Sequence, residues 1–159
     1  MSLVIRPARR EDAPTLLGFI RELAIYERAE HEVAATAETI EQSIFGPGSV
    51  TRALICEKDG EPIGMAVWFF SYSTWQARNG LYLEDLYVTP QARGAGAGKA
   101  LLKRLAQIAV EHGCGRFEWS VLDWNEPAIR VYEAVGAEPQ SEWIRYRLSG
   151  RALQDFAEG

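Results

Sequence analysis

Between Tyr87 and Leu105 the chain reads YVTPQARGAGAGKALLKRL, with Gly94, Gly96 and Gly98 at every second position beside Arg93. Glycine costs a helix roughly 1 kcal/mol relative to alanine, so three near one helix start need a reason. A backbone without Cβ atoms lets a bulky anion approach closely. The first-turn N–H groups of the helix that follows have no intrahelical acceptors, and the helix dipole adds to their pull on negative charge. Arg93 can add a charge-assisted contact. The anion could be a pyrophosphate, held without a metal. Two other phosphate patterns fail. A Walker loop would need Gly where Arg93 stands and Ser or Thr where Ala100 stands, and G-x-G-x-x-G would need Gly where Lys99 or Leu101 stands. A loose turn rich in small residues is the plain alternative.

Just upstream, GLYLEDLYV places Glu84 and Asp85 inside a strand pattern. Adjacent strand residues face opposite sides, so at most one of the pair addresses a cleft. Acids between Leu and Tyr are poor strand formers, which means that something other than propensity fixes them. One solvated acid and one salt bridge to an arginine at the core edge would account for them equally well.

The elements that must position these residues are legible in the pattern. LVIRPA is a short β-rich run, and REDAPTLLGFIRELAIYE puts Leu16, Leu17, Ile20, Leu23 and Ala24 on one helix face. A second helix is expected over Ala37 to Phe45, capped by Thr36 and stopped by GPG. TRALICEKDGEPIGMAVWFFSY reads as a hairpin turning at Asp59-Gly60. After the strand GLYLEDLYV, the helix GAGKALLKRLAQIAVEHG ends with Gly113 in the C′ position. RFEWSVL is another strand. NEPAIRVYEAVGA is a helix with Asn125 at its N-cap, Pro127 in its first turn and Gly136 as its stop. EWIRYRL gives a last strand and SGRALQDFA a terminal helix. This order is α/β, a mixed sheet with helices on both faces. With no repeat, linker or low-complexity stretch, one domain over residues 1–159 is expected.

Bulk composition narrows the partners. A formal charge of −5 argues against a nucleic-acid footprint and suits a cationic partner. Cys56 and Cys114 lie far apart, and His31 and His112 are isolated, so no metal spacing exists. Free thiols of a reducing compartment are the natural reading. The apolar run MAVWFF is too short to cross a bilayer, and MSLVIRPARR has no signal region. A cytoplasmic protein with no membrane partner is expected.

QARGAG, from Gln91 to Gly96, is similar to the Q/R-x-x-G-x-G/A signature of the GNAT superfamily of acetyl-CoA-dependent N-acetyltransferases. NEPAIRVY carries its second mark, Asn125 and Tyr132 on one later helix. VIRPA, RELAIYE, LYLEDLYV, RGAGAGK and LDWNEPA resemble the diamine (spermidine/spermine) acetyltransferase family. STWQARNGLYLEDLYV with LDWN looks closer to its thialysine acetyltransferase branch, and the resemblance covers nearly the whole chain.

The resemblance implies a GNAT-like fold, a mixed, mostly antiparallel V-splayed sheet, with acetyl-CoA as co-substrate, no metal, and a homodimer. It implies cofactor contacts from Arg93, Gly94, Ala95, Gly96, Ala97, Gly98 and Lys99, and from Asn125, Glu126, Pro127, Ala128 and Tyr132. The pantetheine arm would pair with the backbone of Leu86, Tyr87 and Val88 as an added strand. Glu84 becomes the acid that binds the amine and passes on its proton, and Tyr132 the donor to the leaving thiolate. On the acceptor side the resemblance implies Tyr26, Glu27, Glu84, Glu118, Trp119, Ser120 and Glu142. An acid at a helix C-terminus is unfavourable with the dipole, so a cation would give Glu27 its reason. One departure stands out. Animal polyamine enzymes have an acid before the tryptophan of Ser73-Thr74-Trp75, and its absence favours a shorter amine.

The expected activity is acetyl transfer to the primary amine of a small cationic acceptor by direct attack on the thioester. The acceptor would be a diamine, a polyamine, thialysine or a lysine-like amine. Such an amine, with a pKa near 10, must shed a proton, the carbonyl oxygen needs donors, and the thiolate leaves better if protonated. The alternatives are a protein or peptide N-acetyltransferase and a non-catalytic CoA-binding module. Glu84 together with Tyr132 weighs against the last, since binding alone needs neither.

Overall fold

In a computed structural model describing residues 2–159, the chain runs β1 (Leu3–Pro7), α1 (Ala13–Tyr26), α2 (Ala37–Phe45), β2 (Thr51–Lys58), β3 (Glu61–Ser73), β4 (Arg78–Val88), α3 (Ala97–Glu111), β5 (Phe117–Trp119), α4 (Glu126–Ala134) and α5 (Gly150–Glu158). Short 3-10 turns precede α1, α2 and α3. Two compact units divide it, Met1–Ser120 and Val121–Gly159.

The first unit holds a five-stranded sheet in the order β1-β2-β3-β4-β5. Pairs up to β4 are antiparallel, and β4 with β5 is parallel, so α3 is the crossover a parallel pair requires. The β2–β3 turn falls at Asp59 and Gly60, both left-handed with φ of 52° and 84°, the geometry that suits a tight hairpin. Thr36 caps α2 by accepting from the Thr39 N–H, as the sequence predicts. Arg6 on β1 grips the start of α1, with its guanidinium nitrogens 2.7 and 3.0 Å from the two Asp12 oxygens. That pairing holds the Asp12 carboxyl below its ordinary pKa.

Both faces of the sheet are covered. On one, Leu16 and Phe19 of α1 and Ile40 of α2 pack on Ile55, Met65, Val67 and Tyr87. On the other lies α3, which buries Leu101, Leu102, Leu105 and Ile108. A Cβ on Gly98 of α3 would lie 3.9 Å from the side chains of Leu86 and Val88, so these two face α3. Burial on both sides explains why the middle of β3, MAVW, is apolar without alternation.

The second unit contains α4, α5 and the chain between them. Gly136 stops α4 in the left-handed region at φ 97°. The expected strand over EWIRYRL does not form, and β5 spans three residues rather than the whole of RFEWSVL. The pattern of EWIRYRL suits a strand, but a strand needs a neighbour, and this unit offers none. Its large side chains remain exposed, Trp143 by 67%, Ile144 by 77% and Tyr146 by 93%. Among the described residues, no helix is long and apolar enough to cross a membrane.

Candidate active site

The glycine stretch forms the turn that launches α3. Gly94 and Gly96 take φ of 90° and 83°, where side chains with a Cβ are strained, and Gly96 is the helix N-cap. A Cβ at either would meet nothing within 4 Å, so backbone conformation, not crowding, demands glycine there. The first helical bond runs from Ala100 N–H to Gly96 C=O at 2.9 Å. The N–H groups of Ala97, Gly98 and Lys99 therefore lack intrahelical acceptors. Val88, Arg93, Gly94, Gly96, Ala97 and Gly98 border an open cavity of about 380 Å³. Positive helix end, open space and absent side chains leave a cradle that could hold a phosphate-bearing ligand.

Beside the cradle, β4 leaves β5. Their pairing covers Leu81 to Leu83 against Phe117 to Trp119 and then ends. From Glu84 to Val88, β4 keeps β3 on one side and has no strand on the other among the described residues. This is the splay, and it offers a ladder edge to an extended ligand arm.

A bulge sits where the splay begins. Val67 pairs with Asp85 and Trp68 with Leu83, leaving Glu84 as the extra residue. A bulge resets strand alternation and re-aims side chains. Leu83 pairs with Trp68, whereas Asp85 pairs with Val67, a member of the α1-side core. Without the extra residue, Leu83, Asp85 and Tyr87 would share one face. Instead Asp85 joins Tyr87 on the α1 side. Strict alternation, as read from sequence, misses this.

The two acids consequently differ. Glu84 is exposed and Asp85 half-buried. Burial pushes the Asp85 carboxyl up to about 6, and the charges of Glu84 and then Glu27 add to the rise. Glu27, the C-cap of α1, is half-buried and is also raised by burial. The negative charges of Glu84 and Glu27 thus both act on Asp85, an arrangement that could receive a cation.

The rest of the expected acceptor side is distributed. Tyr26 ends α1, and the Arg93 guanidinium lies 5.6 Å from its ring centroid. Glu118 pairs with Arg116 at 3.1 Å, so it is already partly neutralised. Trp119 packs on Phe117 with ring centroids 4.8 Å apart. Ser120 Oγ shares a 2.9 Å hydrogen bond with the Tyr82 hydroxyl. Tyr82 and Glu22, which accepts from the Tyr87 hydroxyl at 2.9 Å, are not singled out by residue type or spacing in the sequence. The available signal was position: Tyr82 lies on the same strand as the acid pair, two residues ahead of it.

In the second unit, Asn125 is the N-cap of α4, without a side-chain capping bond. Glu126, Pro127 and Ala128 form the first turn, and Tyr132 lies half-buried near the helix end. Glu142 is exposed in a turn ahead of the extended segment. Among the described residues, no group of three or more His, Cys, Asp or Glu could hold a metal.

A five-stranded mixed sheet that splays beside a glycine-launched helix defines the acetyltransferase class, and the chain belongs to the GNAT acetyltransferase family, whose model matches residues 11–137. It is an N-acetyltransferase. The thialysine N-epsilon-acetyltransferase of Mus musculus is 37% identical over 164 residues, covering 96% of each chain. The L-ornithine N5-acetyltransferase of Arabidopsis thaliana is 29% identical, covering 94% of this chain and 86% of that protein. Among solved structures, an integron cassette protein from the mobile metagenome of V. cholerae superimposes with a TM-score of 0.84. It shares 27% identity and covers 100% of this chain and 99% of its own.

Proposed function

We propose that the protein moves an acetyl group from acetyl-CoA to the primary amine of a small cationic acceptor such as a diamine, polyamine, thialysine or lysine-like amine. The carboxylate group of Glu27, Glu84 and Asp85 carries this reading, because it is built for a cation whose proton must leave. The similarity to thialysine and ornithine acetyltransferases supports it. We read both units as parts of one domain, since the family match continues through residue 120 to residue 137.

The cradle fits the co-substrate. Pyrophosphate would lie on the N–H groups of Ala97, Gly98 and Lys99, with Gly94 and Gly96 leaving room. The strand-free edge of Leu86 to Val88 would pair with the pantetheine arm and aim it along β4, with the Val88 carbonyl already engaged by Arg93 Nε. Bound acetyl-CoA supplies a thioester, at which the new N–C bond forms and the C–S bond breaks. N–H groups on the same edge offer donors to the charge that develops on the carbonyl oxygen.

The acids divide the proton work. Glu84, exposed at the bulge, meets the arriving ammonium. Asp85, half-buried and titrating near 6, is the better proton acceptor at neutral pH, because its affinity is closer to that of the group it must relieve. This shifts the role the sequence suggested for Glu84 by one residue. Tyr132 serves as the acid that returns a proton to the thiolate, with Asn125 as a further cofactor contact. The exposed Trp143, Ile144, Tyr146 and Leu148 support a homodimer in which a second copy covers this segment. The free thiols Cys56 and Cys114 are in keeping with a cytoplasmic protein.

Comparing thialysine with a primary alkylamine of equal length that lacks a second ammonium group tests the acceptor class. The acceptor with the second cationic group should show a kcat/KM at least about tenfold higher, a difference near 1.4 kcal/mol. Equal values, or a preference for a peptide N-terminus, would overturn the small-cation reading.

A further inference from the structure

Arg93 opens the glycine loop, yet its side chain is engaged elsewhere. Its Nε donates to the Val88 carbonyl at 3.1 Å. Its guanidinium carbon lies 5.6 Å from the Tyr26 ring centroid and 5.7 Å from that of Tyr87. Tyr87 is fixed from two further directions, by its hydroxyl on Glu22 at 2.9 Å and by its ring against Phe19 at 6.1 Å. Tyr26 is the last residue of α1. Beyond it come Glu27 and then Arg28, whose backbone is left-handed at φ 60°. The helix end that carries Glu27 is therefore a strained turn, and the loop reaches it through one planar cation shared by two tyrosines.

We propose that Arg93 is a positioning residue for the acceptor, holding Tyr26 and the Glu27 end of α1 against the glycine loop, rather than chiefly a ligand of the pyrophosphate. The reason is geometric. A guanidinium can lie on aromatic rings and donate from Nε at once, whereas a lysine ammonium keeps the charge and loses the plane. The backbone donors of the cradle do not depend on the side chain at all. Removing the plane should loosen Tyr26 and blur the position of Glu27, and leave the helix N-terminus as it was. The proposal rests on the small-amine reading above.

The test uses Arg93→Lys, Tyr26→Leu and the double variant. CoA affinity is measured by calorimetry without any amine, and kcat and KM with thialysine. Arg93→Lys should raise the acceptor KM roughly fivefold and by more than it raises the CoA Kd, with kcat within about twofold of wild type. Tyr26→Leu, outside the loop, should reproduce the KM rise, and the double variant should be no worse than the weaker single. A CoA Kd that rises as much as the acceptor KM, an unchanged KM, or a double variant whose losses multiply would overturn the proposal. Should the wild type acetylate no small amine, it is the functional reading that fails. The clamp is then decided by urea unfolding of the same four proteins. Coupling of about twofold or more in the folding equilibrium supports it, and no coupling overturns it.

Discussion

Asp85→Asn should lower kcat/KM for a small amine by about 10²-fold or more, the usual size of a lost general base. It should also change the pH profile. The wild-type value should climb as Asp85 ionises around pH 6 and go on climbing as the free amine fraction grows. In the variant the lower inflection should vanish, with only the amine limb left. The same substitution should make the protein more stable at pH 7. In the fold this carboxyl is raised from its ordinary 3.8 to about 6, so the folded state binds the proton more tightly than the unfolded chain. Wild-type stability from this group is therefore full below about pH 4 and is lost as pH rises through 6. Asparagine carries no such cost. The variant's advantage in urea unfolding should be roughly 1–3 kcal/mol at pH 7 and should shrink towards pH 4. Activity lost without stability gained would make Asp85 an ordinary structural acid. Glu84→Gln under the same assay should act mainly on KM, and an effect on kcat exceeding that of Asp85→Asn would return the proton to Glu84.

Tyr132→Phe is expected to cut kcat by about 10²-fold while CoA affinity changes by less than about threefold. A hydroxyl that meets the thiolate only as the C–S bond breaks contributes little to ground-state binding. The measurement is single-turnover thiol release beside calorimetric CoA binding. A wild-type rate under conditions where chemistry limits would leave Tyr132 a packing residue of α4.

Local signals told most of the fold. Thr36, Asp59-Gly60, Gly113 and Gly136 punctuate the chain where the sequence places them, because capping and left-handed turns depend on one or two residues. The glycine loop was readable for the same reason: positive φ at Gly94 and Gly96 is a demand of the backbone itself. What the pattern could not yield depends on pairing. The bulge at Glu84 exists only in the register of β4 against β3, so the facing of Asp85 had no local trace. EWIRYRL alternates like a strand but finds no neighbour within its unit, and β5 ends early because β4 diverges from it. Arg93 on Tyr26 joins residues 67 positions apart, beyond any periodicity. Short-range chemistry was legible in the sequence, and cross-strand aim was not.

Acetyl transfer from acetyl-CoA to a small cationic amine is measured most directly by following both products together. Purified protein with acetyl-CoA and thialysine should release free CoA thiol and form N-acetylated amine in equal amounts, at a rate proportional to enzyme. Omitting the amine should stop thiol release. Thiol release without acetylated amine, or no turnover of thialysine, ornithine or any diamine while a peptide N-terminus is acetylated, would contradict acetyl transfer to a small cationic amine.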